Sequence, residues 1–205
     1  TLVVNKETGA YTYTLDNTDA DTDAIAAGAT ADETFTVRAT DGENRASQVL
    51  TITITGTNDT PVLTVPSDGA VTEGAETTTV TDTLSATDGE AGALTFSIVG
   101  ETATEGVYTV TGTYGSIELN ASTGAYTYTL NNSDADTVAL TGADSATETF
   151  SVAVEDSEGA SATGSLNFAI TGSGITITTI ETDNKVNAAE AADGFTIRGR
   201  GNAGE

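Results

Sequence analysis

The chain has 205 residues, with 31 Asp and Glu against 6 Lys and Arg and a formal net charge of −25. That balance excludes nucleic acid, which needs a basic footprint, and disfavours anionic membrane surfaces. Histidine, cysteine, methionine and tryptophan are all absent, which removes histidine-assisted serine hydrolysis, thiol chemistry, haem and structural zinc.

Taken in chain order, the segments alternate with period two, apolar on one side and Thr-rich on the other. This is the pattern of half-buried antiparallel strands. Leu2, Val3 and Val4 open the chain, in a start (TLVVNKETG) with neither the basic nor the apolar stretch of a signal peptide. Tyr11, Tyr13 and Leu15 alternate with Thr12 and Thr14, and the acidic loop DNTDADTDAI follows. AIAAGATA (24–31) is compatible with a turn or two of helix. Phe35/Val37/Ala39 and Leu50/Ile52/Ile54 mark two further strands, and the linker TGTNDTPV spans 55–62. Beyond it come Leu94/Phe96/Ile98, Ile117/Leu119, Tyr126/Tyr128/Leu130, Phe150/Val152/Val154 and Leu166/Phe168/Ile170. The tyrosine pairs read as strand residues of a core. ITITTI (175–180) opens a last segment, where NAAEAA (187–192) is also compatible with a short helix. No run reaches the roughly 18–20 apolar residues of a membrane span.

Two stretches are near copies. GAYTYTL occurs at 9–15 and 124–130, ETFTV (33–37) returns as ETFSV (148–152), and LTITITG (50–56) returns as LNFAITG (166–172). A period of about 115 residues is far beyond the roughly 20–50 of a solenoid unit and matches a whole β-domain in tandem. The expected fold is all-β: tandem immunoglobulin-like Greek-key sandwiches, with seven to nine strands in the second copy. Residues 1–57 are expected to be the later strands of a first repeat, 58–172 a complete second repeat, and 173–205 the start of a third, different immunoglobulin-like domain. Both ends then fall inside domains. A larger parent protein is the favoured explanation, with split domains or strand donation between subunits left open.

The acidic residues gather in loops. Asn58 and Asp59 lie in the linker, Glu73 in VTEG, Asp88 and Glu90 in ATDGEAG, Asp156 and Glu158 in VEDSEG, and Asp41 and Glu43 in ATDGEN. Asp-x-Glu on a tight loop places two carboxylates close enough to share a cation. Calcium takes 6–8 oxygen ligands and needs neither His nor Cys. The alternative is a solvated acidic surface. DADTD has the odd-position oxygens of a calcium loop but lacks the glycine and terminal glutamate of an EF-hand, so it reads as an acidic turn. A glycosidase needs two acids facing one cleft. Every acid pair here sits on a turn with no aromatic platform beside it, so a non-catalytic protein is expected. Asn120-Ala-Ser and Asn131-Asn-Ser are sequons of a kind frequent by chance in such a composition.

ATDGEAGALTFSIVG (86–100), GSIELNASTGAYTYTL (115–130) and FTVRATDGEN…VLTITITGTNDTP resemble cadherin strands, loops and linker. GTYGSIELNASTGAYTYTL, LNNSDADT and ITGTNDTPV bring the chain closer still to bacterial VCBS-type, cadherin-like repeats. Those repeats occur in large type I-secreted RTX and biofilm-associated adhesins, and the last segment resembles another immunoglobulin-like repeat of the same arrays. The resemblance implies calcium, with Asn58 and Asp59 at the linker, Asp88 and Glu90 in the DAD position, Asp156 in the late loop and Glu73 as the early glutamate. It also implies extracellular spacer modules whose partners are neighbouring repeats, with host or biofilm-matrix ligands held by other domains and no membrane insertion. Self-assembly head to tail and glycan or protein binding by the sandwich itself are the alternatives. Several positions depart from the cadherin pattern. Gly56 stands where cadherins have the first linker Asp, the linker is one residue short before Pro61, DNTDADTD replaces the DRE loop, and TGSGI at the second junction has neither Asn nor Asp.

Overall fold

The computed structural model describes residues 1–173 except 77, 91 and 143. In the first repeat β1 (Leu2–Val4) pairs with β2 (Tyr11–Tyr13), a short helical turn α1 (Ala20–Asp23) follows, and β3 (Thr30–Thr40) pairs with β4 (Arg45–Thr55). The second repeat opens with β5 (Val62–Thr64), β6 (Gly69–Thr72), β7 (Thr79–Thr83), β8 (Ser85–Thr87) and β9 (Thr95–Ile98). It continues with β10 (Val107–Thr111), β11 (Gly115–Asn120), β12 (Ala125–Leu130), α2 (Ala135–Val138), β13 (Ser145–Glu155) and β14 (Ser161–Thr171).

The turns repeat as faithfully as the strands. Asn120 Oδ1 accepts from the amides of Ser122 and Thr123, both at 3.0 Å, before Gly124 reverses the chain. Asn5 Oδ1 does the same for Glu7 and Thr8 at 2.9 and 3.0 Å. A side-chain oxygen that mimics a turn carbonyl is the reason Asn is favoured there.

The second repeat is a sandwich of two four-stranded sheets, ordered β10-β11-β12-β7 and β6-β14-β13-β9, in which only the β6–β14 pairing is parallel. The short β5 and β8 pair with each other, which is why ten strands stand where seven to nine were expected. Ile117, Leu119, Tyr126, Tyr128 and Leu130 from one sheet meet Phe150, Val152, Val154, Leu166, Phe168 and Ile170 from the other, all buried. Tyr128 stacks on Phe168 with ring centroids 4.1 Å apart and planes at 10°. Both predicted tyrosines of this copy therefore lie in the core.

One polar group belongs to that core. Glu148 is buried; its Oε2 accepts from the Tyr128 hydroxyl at 2.7 Å, and its Oε1 accepts from the amides of Thr113 and of Tyr114, the latter at 2.9 Å. The carboxylate ties β13 to the β10–β11 turn. Burial, together with this hydrogen bond, raises the Tyr128 phenol well above its ordinary range.

The first repeat folds as the matching half. Its β1–β2 register sets Leu2 against Tyr13 as β11–β12 sets Ile117 against Tyr128. Tyr13 meets Phe35 edge-on at 6.2 Å, and Tyr128 lies at the same distance from Phe150. Among the described residues no counterparts of β5–β10 cover this half. Phe35, Val37, Ile52 and Ile54 are therefore only half-buried and Tyr11 is 53% exposed.

Helix forms where it was not expected. AIAAGATA does not coil; the turn lies just upstream, over Ala20–Asp23. Asp19 caps it by accepting from the Asp21 amide at 3.0 Å, a stronger local signal than the alanines that follow. NAAEAA and, from residue 174, the third segment lie outside the described residues.

Removing the buried carboxylate strands two amides and a phenol. Glu148→Ala is expected to cost roughly 3 kcal/mol or more and Tyr128→Phe about 1–3 kcal/mol, read as midpoint shifts in urea unfolding. Near-neutral values for both would contradict the tethering role.

Candidate metal centre at the junction of the two repeats

The exit of the first repeat is fastened before the linker begins. Gly56 donates its amide to Ala29 O at 2.9 Å, and its carbonyl accepts from Gly28 N at 3.0 Å. A Cβ on Gly56 would lie 2.0 Å from Ile25 O and 2.5 Å from Ala26 O. The residues just after α1 thus exclude any side chain here, the physical reason that glycine replaces the expected linker aspartate. Gly172 is held in the same way, with Thr141 O at 2.3 Å from an added Cβ.

From there the linker crosses to two loops at one pole of the sandwich. Asn58 Nδ2 donates to Asp156 Oδ2 at 3.0 Å, and the Asp59 amide donates to Glu90 Oε1 at 3.0 Å. Asp156 Oδ1 accepts from the amides of Glu158, Gly159 and Ala160 at 2.9, 2.6 and 2.9 Å. Asp88, half-buried, accepts from Gly89 N at 3.1 Å. An added Cβ at Gly89 would meet Asp59 Oδ2 at 3.4 Å, Asp23 O at 3.2 Å and Asp23 Cβ at 3.4 Å. The last turn of α1 therefore abuts the loop between Asp88 and Glu90.

Of the residues singled out in the sequence, four pair off here, Asn58 with Asp156 and Asp59 with Glu90, and Asp88 lies two residues before Glu90 on the same loop. Glu73 does not. Its amide donates to Thr171 O at 2.9 Å, and its Oε2 accepts from Ser173 N at 3.1 Å. It lies at the far end of β14 from the turn that carries Asp156, a strand length of about 33 Å away. It cannot share an ion with the other five. Asp23 was not singled out. The one sequence signal for it is that the acidic turns agree residue for residue from Asp19/Asp134 to Thr22/Thr137 and then diverge at Asp23/Val138.

Two oxygens at this junction lack a partner. Asn58 Oδ1 and Glu90 Oε2 are buried, and among the described residues neither meets a donor. Glu90 as a whole is 7% exposed. Leaving a buried acceptor unpaired costs roughly 1–3 kcal/mol, and more for a charged group. Among the described residues no group of three or more His, Cys, Asp or Glu side chains is drawn together as a metal cluster. The Asn58 and Asp59 amides occupy one oxygen each of Asp156 and Glu90. The donor set is all oxygen, carboxylate and amide, which suits a hard cation such as calcium.

A Greek-key sandwich that follows a copy of its own later strands across an oxygen-rich linker is a cadherin-like architecture. The family model of the bacterial cadherin-like domain matches residues 58–172, and the chain belongs to that family. Among solved structures it is similar to protocadherin gamma B7 extracellular cadherin domains 1–4, at 16% identity over 84% of this chain and 39% of that one, with a TM-score of 0.43. It is also similar to mouse cadherin-23 EC22–24, at 16% identity over 85% of this chain and 50% of that one, with a TM-score of 0.41. The chain thus spans half or less of the length of these structures. No curated protein sequence matches it.

Desolvation pushes the Asp156 carboxyl up, but the hydrogen bonds from Asn58 and from the amides of 158–160 outweigh it and hold the group below the usual carboxylate range. A carboxyl whose folded value is depressed contributes its full stability above its unfolded value, about 3.9, and loses it as pH falls through the lower folded value. Carboxyl-carbon NMR is expected to place the Asp156 midpoint below the ordinary Asp value, and Asp156→Asn to flatten the acid limb of the stability curve. A midpoint at or above the ordinary value would refute this assignment.

Proposed function

We propose that this chain is a non-catalytic spacer in a secreted bacterial surface adhesin of the RTX, biofilm-associated kind. Its tandem sandwiches extend other domains away from the cell towards host or matrix ligands, and calcium stiffens the hinge between them. The observation that carries the reading is the pair of unpartnered, buried oxygens, Asn58 Oδ1 and Glu90 Oε2, where two repeats abut. Asn58, Asp59, Asp88, Glu90 and Asp156 would hold the ion. Bound there, calcium would supply charge neutralisation and take up lone pairs that no donor meets. The linker residues bring the flexible segment to the ion, and Glu90 and Asp156 anchor it to two loops of the sandwich.

The charge of the chain favours the same reading. With a net charge of −25, acids packed at a joint repel one another and open the hinge unless a cation screens them at contact distance. A second reading, head-to-tail assembly by strand donation, is favoured by the half-covered apolar face of β1–β4. It predicts concentration-dependent oligomers in light scattering.

Calcium at tenfold its Kd should stabilise the protein by about 1.4 kcal/mol through mass action. The expected result is a melting temperature that rises with calcium and falls on chelation, with a hinge that loosens in small-angle scattering. Glu90→Gln should remove most of that response. A melting curve and scattering profile indifferent to calcium would overturn the proposal.

A further inference from the structure

Strand alternation sorts the sheet β10-β11-β12-β7 into two faces. Ile117, Leu119, Tyr126 and Tyr128 point into the core and are buried. Their neighbours in sequence therefore lie on the outer face. There Glu118 stands opposite Thr109 on one side and Thr127 on the other, and Thr127 stands opposite Thr81. At about 4.8 Å per strand, this in-register row of three hydroxyls and one carboxylate is about 14 Å long. Beside it Val107 pairs with Asn120, and Ala125 with Thr83, which sets methyl groups next to the polar row. The outer face is hollowed along these rows. Thr81, Thr83, Val107, Glu118, Asn120 and Thr127 line a groove of about 560 Å³, within the roughly 300–1,000 Å³ of small-molecule sites. The groove crosses all four strands, and no further strand walls it at β7 or at β10.

The stability of the sheet does not account for Glu118. Glutamate is depleted in strands, and its cross-strand neighbours are threonines, which offer no opposite charge. The first repeat has a valine at the matching place: Val3 stands opposite Thr12 as Glu118 stands opposite Thr127. Glu118 is exposed, so it fills no gap in the core either. No Lys, Arg or His occurs between residues 58 and 173, and the two charged groups on the groove, Glu118 and Asp82, are both acidic. The groove therefore repels anions. Its hydroxyls donate and accept, its carboxylates accept, and the Asn120 amide nitrogen donates. Val107 and Ala125 offer methyl contacts between them. A sugar ring, with hydroxyls at its rim and C–H groups on its faces, matches that mixture.

We propose that the outer face of β10-β11-β12-β7 is a binding site for a neutral polysaccharide, one chain of which lies across the four strands with Glu118 accepting from its hydroxyls. The open ends of the groove admit an internal stretch of polymer, so no chain terminus is needed. The Tyr126 ring is turned into the core against Phe168, and hydrogen bonds in place of ring stacking carry the affinity. Each such bond exchanges for one to water and contributes little alone, so several sugars must be held at once. The inference stands apart from the calcium reading, because the groove lies on one sheet of one repeat and needs no ion. A spacer with this face grips surrounding glycan along its length.

The experiment titrates the 205-residue chain, in chelator, with cellohexaose, mannohexaose and maltohexaose and follows its amide NMR signals. An oligogalacturonate and a glucosamine oligomer serve as the anionic and cationic counterparts. At least one neutral hexasaccharide is expected to shift the amides of Thr81, Glu118 and Thr127. Glu118→Val, which installs the residue of the first repeat, and Thr127→Val should each weaken that binding about tenfold. Both put a strand-favouring residue in a strand, and an unchanged melting temperature checks that they fold. Thr147→Val, on the outer face of the other sheet, should bind as wild type does. Silence with all three neutral sugars would overturn the proposal, as would wild-type affinity in Glu118→Val. Tighter binding of either charged oligomer than of every neutral one would also overturn it. None of these outcomes bears on calcium at the junction.

Discussion

A carboxylate oxygen drawn out of water must find a donor or a cation, and Glu90 Oε2 has neither among the described residues. Much of the junction follows from that requirement. The other oxygen of Glu90 is engaged by the Asp59 amide, so the side chain cannot swing out to solvent without releasing the linker. Asp156 is fixed more firmly, with three turn amides on one oxygen and Asn58 on the other. Two loops of the sandwich thus present acids in set positions, and the linker is drawn onto them. Repulsion among these groups and the cost of their desolvation both fall when a divalent ion sits between them.

The sandwich provides the rigid frame such a junction needs. Its core is almost wholly apolar, and the one carboxylate inside it among the described residues, Glu148, accepts from Tyr128, Thr113 and Tyr114. The contrast with Glu90 is instructive. The same functional group is quiet where three donors converge on it and unsatisfied where only one does. Glu148 closes a turn at the cost of burying a charge, and Glu90 leaves one buried oxygen without a donor where the linker from the first repeat arrives.

Much of this was legible in the residues. Period-two alternation located the strands, and Tyr126, Tyr128, Phe150 and Phe168 reach the core as their alternation requires. Local turn chemistry was equally readable in Asn5 and Asn120. The linker motif brought Asn58 to Asp156 and Asp59 to Glu90, but the same pattern also named Glu73, which the parallel pairing of β6 with β14 carries to the opposite pole. Asp23 stood inside a turn whose other acids cap or face water, and nothing local separates it from Asp21. Only the valine in the second copy does. Glu148 and its counterpart Glu33 occupy the start of an ETF strand, where an acid reads as solvated until a tyrosine from the facing sheet is placed above it.

What the chain's residues determined alone is what depends on neighbours in sequence: alternation along a strand, reversal at Asn and Gly, helix capping at Asp19, and the repetition of a whole domain. These rest on backbone geometry and side-chain size over a few residues. What the tertiary structure decided is which loops share a pole. That depends on strand length, on sheet order and on the direction of the β6–β14 pairing, none of which a single segment contains. Carboxylates scattered over a hundred residues come to one pole only when two stacked sheets bring their turns to the same end.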